Sequence, residues 1–370
     1  MRPPAGQTKI EMTRLQDDNH ANDGDSIDTG GAPSRHRLSP SQRLLFGVVS
    51  VLLVPLFVVH GVVSDRTAWG EWIAIWPPLF WVVGLAPLAL LTYDRRKPLL
   101  FCCAVGGVAL FGAAFVEWGG LARLLAPVAR VGATEARLRL VSWNVAECPG
   151  GKKGILDELA AACPDICFLQ ETPDGEQSIK TGDLKDYWDG FEWRDSGDCG
   201  ILSRFRLENL RSISVGPWDP VQVFDAQVTS GMVLRGINAR LMLPSLALNV
   251  LSPERRAVLC ADHERRLAQF FNLGELIDSM RRQESTAEIV MAGDFNTPAR
   301  MSSLGPLRRR LRDAWREAGR GWGATITNDF PVERIDQCWV SDSIRVLDAR
   351  VRPSRLSDHR MLIVDLAVRQ

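Results

Sequence analysis

The chain has 370 residues, 46% of them apolar and 24% charged, with 44 Lys+Arg against 44 Asp+Glu. That length allows two or three domain-sized units. The zero net charge lacks the basic excess from which general nucleic-acid binders draw their affinity.

Residues 1–42 are polar, carry clusters such as Asp17-Asp18-Asn19, and show no apolar periodicity. They read as a disordered tail, too long and polar to begin an ordinary signal peptide. Three apolar stretches follow, at 44–63, 69–91 and 99–116. Each approaches the ~20 residues that a helix needs to cross a bilayer. Three transmembrane helices are therefore expected within 43–120, with Pro55, Pro77, Pro78 and Pro87 tolerable inside lipid. Arg35, Arg37 and Arg43 precede the first stretch, and Arg95, Arg96 and Lys97 lie between the second and third. By the positive-inside rule these segments are cytoplasmic, so the rest of the chain is expected outside the cytoplasm of a bacterial cell. Arg123, Arg130, Arg137 and Arg139 argue the other way.

Residues 121–136 read as a linker. From 137 to 370 short strand-like runs alternate with helical ones, and no repeat is visible. Strands are expected at 138–145, 166–170, 199–202, 221–228, 233–241, 246–251, 288–292, 335–340 and 361–368. Helices are expected at 153–162, 254–282 and around 306–318. This order fits an α/β sandwich of two sheets with outer helices. Its charge is also balanced, with 32 Lys+Arg against 33 Asp+Glu from residue 136 onward, a net of −1. The scattered cysteines match no zinc spacing, Cys163 and Cys167 included, and read as small buried hydrophobes.

Several apolar runs end in polar groups. Asn144 ends the first strand, Glu171 follows the second, and Asp294 and Asn296 follow a third. Asp336 begins a fourth, and Asp358-His359 precedes the last. A parallel-running layer would bring such ends to one edge. Carboxylates and amides together make a hard oxygen site suited to Mg²⁺ or Mn²⁺. A carboxylate beside a histidine fixes its tautomer and favours its charged form.

In order, Trp143-Asn144, Leu169-Gln170-Glu171, Gly200-Ile201-Leu202-Ser203-Arg204, Gly293-Asp294-Phe295-Asn296, Arg334-Ile335-Asp336 and Ser357-Asp358-His359 resemble the motifs of the endonuclease/exonuclease/phosphatase superfamily. The resemblance spans 137–370 and implies a four-layered, DNase I-like α/β sandwich. It implies Glu171 as principal metal ligand, with Asn144 and Asp358 near the metal. Asp294 and Asn296 would position the attacking water and hold the phosphate. His359, oriented by Asp336, would contact the scissile phosphate. The chain departs from the family at Asn249-Val250-Leu251, where a His usually stands at the third position. His263 lies twelve residues later, in the next helix, and is a poor substitute.

With its apolar stretches, the chain resembles the membrane-anchored bacterial members of that superfamily. The expectation is a bilayer-anchored phosphoesterase acting on a phosphorylated substrate, with a lipid-linked phosphate favoured. The alternatives are a metal-dependent nuclease and a binding module impaired at Leu251. Arg308-Arg309-Arg310-Arg312 is a candidate phosphate patch, but a solvated helix face is the simpler reading.

Overall fold

The computed structural model describes residues 39–41, 56, 59–77, 119–120, 123–147, 149–173, 178–216, 220–229, 232–246, 249, 252–283 and 288–369. Among the described residues fourteen strands run in chain order: β1 Gly119–Gly120, β2 Glu135–Asn144, β3 Ile166–Gln170, β4 Glu192–Ser196, β5 Cys199–Ser203, β6 Leu207–Ile213 and β7 Val221–Thr229, then β8 Met232–Arg240, β9 Glu288–Asp294, β10 Arg312–Asp313, β11 Gly321–Trp322, β12 Asp336–Val340, β13 Arg345–Arg352 and β14 Met361–Arg369. The helices that matter most are α1 Ala68–Ala74, α2 Gly151–Ala162 and α3 Pro253–Gln283.

Two six-stranded sheets form, in the orders β13-β14-β2-β3-β5-β4 and β10-β12-β9-β8-β7-β6. Side-chain alternation decides what each sheet touches. Leu138 and Leu140 of β2 point between the sheets and join Phe168, Phe224, Leu234 and Val290 in a shared core. Val141 and Trp143 point the other way, onto Ile155 and Leu159 of α2. On the far side, Ile237, Met291 and Trp339 meet Phe270, Leu273 and Ile277 of α3. The result is helix, sheet, sheet, helix, the four layers expected.

Only two pairs are parallel, β2 with β3 and β8 with β9, one at the centre of each sheet. The single parallel-running layer is thus replaced by two parallel pairs whose carboxyl ends share an edge. The expected helix around 306–318 is instead two short helices, Gly305–Arg308 and Ala314–Ala318, separated by β10. Leu246 and Asn249 are outside any strand, and the rest of 246–251 lies outside the described residues. Strands β4, β6 and β13 were not anticipated, because polar and charged residues interrupt their apolar pattern, as suits strands at or near a sheet edge.

Among the described residues, no helix is long and apolar enough to cross a membrane. The tail at 1–38, most of 44–63, residues 78–91 and all of 99–116 lie outside the described residues. The described start of the second apolar stretch departs from a spanning helix. There α1 is capped by Thr67, ends at Ala74 and packs on α3. Its Glu71 is 5% exposed and turned into the protein. It accepts from Arg266 Nε at 2.6 Å and lies 2.8 Å from His263 Nδ1. Two buried partners on α3 explain why a carboxylate is stable in this otherwise apolar segment.

Candidate active site

The carboxyl ends of β2, β3, β8 and β9 converge where β12 begins and β14 is about to start. Register brings Asn144 beside Gln170, and sets Asp294 beside both Arg240 and Asp336. A close approach makes this possible at Gly293. Its φ is +148°, and a Cβ there would sit 1.8 Å from the Ala239 carbonyl oxygen. Glu171 and Asn296 also have left-handed φ, +51° and +46°. Such backbone is costly for residues other than glycine and persists where the surroundings over-determine it.

The side chains form one polar chain. Asn144 is fully buried, and its Nδ2 donates to Glu171 Oε1 at 2.9 Å and to Asp294 Oδ2 at 3.1 Å. Two carboxylates therefore converge on a single amide. Asp294 Oδ1 accepts from the Asn296 backbone N–H at 2.8 Å, and the Asn296 amide donates to the Leu241 carbonyl at 2.8 Å. His359 Nδ1 lies 2.9 Å from Asp336 Oδ2, and its Nε2 is 3.9 Å from Asp294 Oδ2. That longer distance is beyond hydrogen bonding, so Nε2 faces Asp294 without being bound by it. Ser357 fixes the histidine's backbone by accepting from His359 N at 3.0 Å while donating to Asn144 O at 2.7 Å.

Burial and neighbouring charge set the protonation. Desolvation raises the Asp294 carboxyl to about 6, with the Asp336 charge adding to the rise and His359 opposing it. Burial by itself would lower His359, but the charges of Asp336 and Asp294 overcome it and raise the imidazole to about 10. His359 is accordingly a cation held by Asp336. Asp294, Asp336 and His359 place ligand atoms within 4.8 Å of one another, although an imidazole that keeps its proton has no lone pair to give a metal. Glu171, with the Asn144 amide beside it at 2.9 Å, is the hard oxygen donor that fits a divalent cation.

Six of the seven expected residues are thus brought together. Asp358 is the exception, being exposed and outside the hydrogen-bonded chain. It borders a polar pocket of ≈ 420 Å³ with Ser357, Arg355, Thr327, Asn328 and Asp329. Leu251 lies outside the described residues. His263 is held by Glu71, away from the hydrogen-bonded chain.

Sequence reasoning missed Arg240. Its Nη2 and Nε contact Glu171 Oε1 at 2.9 and 3.1 Å, while Nη1 donates to Asp198 Oδ2 at 2.6 Å. Burial works against its charge, but the two carboxylates prevail and keep the guanidinium above its ordinary range. The signal was present, since Arg240 is itself a polar residue ending an apolar strand. In the arginine run at 308–312 only Arg309 is exposed, and the other three are engaged within the protein. Arg308 donates to the Ala299 carbonyl, Arg310 pairs with Asp278, and Arg312 pairs with Glu317.

Comparison with curated protein sequences gives no match. Among solved structures, a 3′ phosphatase from Neisseria bound to a product DNA hairpin is 20% identical, with TM-score 0.47, over 61% of this chain and 98% of that one. A mannosyl-6-phosphatase from Bacteroides thetaiotaomicron is 18% identical, with TM-score 0.45, over 62% and 99%. A protein described as endonuclease/exonuclease/phosphatase, from Beutenbergia cavernae, is 18% identical, with TM-score 0.46, over 63% and 72%. The family model for the Endonuclease/Exonuclease/phosphatase family matches residues 141–359, which run from β2 to His359 and take in every residue of the polar chain. The chain belongs to that family of phosphoester hydrolases.

Proposed function

We propose that this protein is a divalent-metal-dependent hydrolase of phosphate esters or pyrophosphates, anchored in a bacterial cell membrane, with a lipid-linked phosphate as substrate. The observation that carries the catalytic part is the convergence of two hydrogen-bonded sets, Glu171–Asn144–Asp294 and His359–Asp336, with His359 Nε2 facing Asp294 Oδ2 across 3.9 Å.

Glu171 and Asn144 would hold Mg²⁺ or Mn²⁺, and a bound cation supplies charge that polarises the phosphoryl group. Asp294, with its carboxyl raised to about 6, is ionised at neutral pH and close enough to neutrality to accept a proton from the attacking water. The Asn296 N–H holds that carboxylate in place. His359 stays protonated and can donate from Nε2 to a phosphoryl oxygen, stabilising negative charge as it develops. Asp336 fixes the ring through Nδ1. Asp358 would act from the rim, toward the polar pocket.

The lipid part of the reading rests on the three apolar stretches, which would keep the site at a membrane surface, and on the balanced charge of residues 136–370. The loop charges support an extracytoplasmic catalytic domain. The test is phosphate or nucleotide release by the full-length protein in detergent with Mg²⁺ or Mn²⁺. The substrates are a polyprenyl pyrophosphate, a phospholipid, a sugar phosphate and DNA, and Glu171→Ala is run alongside. Turnover of the polyprenyl substrate, lost in the variant, is expected. Turnover confined to DNA would replace the lipid reading with a nuclease, and no turnover by folded protein would leave a binding module.

A further inference from the structure

A groove of ≈ 290 Å³ is lined in part by Asn296, and its exposed lining is almost wholly apolar. Its lining takes Ile75 and Trp76 from the segment that follows α1. It also takes Leu243, Leu246 and Ile335. Leu243 and Leu246 are 58% and 47% exposed, large apolar side chains left in the open beside a polar centre. Glu333 also borders the groove, but its carboxylate is held by Arg300 at 2.6 Å. Thr327 borders both this groove and the polar pocket that contains Asp358. Apolar and polar recesses thus meet at one residue, Asn296 lines the apolar one, and His359 follows Ser357 and Asp358 of the polar one.

The geometry points to a subsite for the hydrocarbon of the substrate: the groove takes the alkyl or prenyl chain next to the scissile phosphate, and the polar pocket takes the group on the phosphate's other side. The inference rests on the lipid-phosphate reading and adds to it the residues that select for the chain. Asn296, whose backbone N–H holds the Asp294 carboxylate, also lines the groove, which places the groove beside the centre proposed to hold the phosphate. A sugar or nucleotide there would place hydroxyls or ring nitrogens against Trp76 and Leu243 with nothing to bond them. A hydrocarbon instead removes those side chains from water. The N-terminal lining also gives the segment around α1 a role in choosing substrate.

The test is equilibrium binding of alkylphosphonates to the full chain in lipid nanodiscs with Mn²⁺. Hexylphosphonate is expected to bind roughly tenfold tighter than butylphosphonate, as burying two more methylenes predicts. Leu243→Ser with Leu246→Ser should remove most of that ratio and leave butylphosphonate affinity unchanged, which also reports that the variant is folded. Trp76→Ser, in the segment after α1, should act in the same direction. An unchanged chain-length ratio in both variants would overturn the subsite. Hydrolysis of p-nitrophenyl phosphate by the native chain and by Glu171→Ala separates the two levels. Turnover with no loss of chain-length ratio in the groove variants removes the subsite alone. A ratio lost in those variants without any turnover upholds the subsite and removes the hydrolase reading.

Discussion

His359 shows how a single side chain is tuned by what the fold packs around it. Its imidazole is raised from 6.5 to about 10 against the effect of burial, because Asp336 and Asp294 both face it. The folded state therefore keeps a proton on His359 that the unfolded chain gives up near 6.5. Stability from this group is complete below pH 6.5 and is lost as pH rises to about 10. In metal-free protein the unfolding midpoint is expected to fall across that window, and His359→Gln should flatten the fall. Asp294 has the opposite chemistry with the same sign. Its raised carboxyl means ionisation costs stability between about 3.8 and about 6. Activity should accordingly rise through pH 6 as Asp294 ionises and decline toward pH 10 as His359 loses its charge, a bell measured as kcat/KM against pH. Asp294→Asn should lower turnover by about 10²–10⁴ with the fold intact. A variant retaining a tenth of native turnover would assign proton removal to another group.

At the scale of elements, the segment from Asp65 to Pro77 behaves as part of the hydrolase. Asp65 accepts from the backbone N–H of Ser302 at 2.6 Å and of Ser303 at 3.0 Å, which holds its carboxyl below the usual range although burial opposes this. Glu71 meets Arg266, whose other nitrogens reach Thr297 Oγ1 at 2.6 Å and the Asn296 carbonyl at 3.3 Å. Arg300 donates to the Ala74 carbonyl. Both ends of the loop 296–303 are braced by this segment, and Asn296 is the residue that fixes Asp294. Removing one partner of a buried ion pair leaves the other uncompensated, at a cost of about 3–5 kcal/mol. Glu71→Ala should lose roughly that much in urea unfolding. Glu71→Leu combined with Arg266→Met should cost less than the sum of the single changes, since the pair is removed together. Strict additivity in that cycle would mean the two side chains are not coupled.

For the whole molecule, the boundary of the catalytic unit is the point at issue. The composition change near residue 120 suggests a hydrolase that begins at 137, yet Asp65, Glu71 and Ala74 contribute buried contacts to it. A chain beginning at residue 119 is therefore expected to unfold at a lower temperature than the full-length protein and to lose turnover along with it. Equal unfolding midpoints for the two would show the docking to be dispensable. Balanced charge sets a second expectation. DNA binding should be weak and depend little on salt, because few phosphates are neutralised, as a titration between 50 and 200 mM salt would reveal. A steep slope would locate a basic surface that the net charge conceals.

Much of the fold was legible from local pattern. Apolar strands such as Ile166–Gln170 and Glu288–Asp294 stand out because a buried strand needs nearly every residue apolar, and the polar groups ending them mark a site because burial there is costly without use. Six ordered motifs then gave the family without any contact being known. Edge strands such as Glu192–Ser196 were hidden because half their surface is wet and their pattern is polar. Which residues meet was beyond the reach of the one-dimensional pattern. Arg240 reaches Glu171 only because β8 lies parallel to β9 under the other sheet. Asp358 turns outward although it adjoins His359, since successive side chains leave the backbone in different directions. Glu71 pairs with Arg266 across 195 positions of chain. Local sequence records the propensity and burial of each segment, whereas a pairing between distant charges is decided when packing removes both from water.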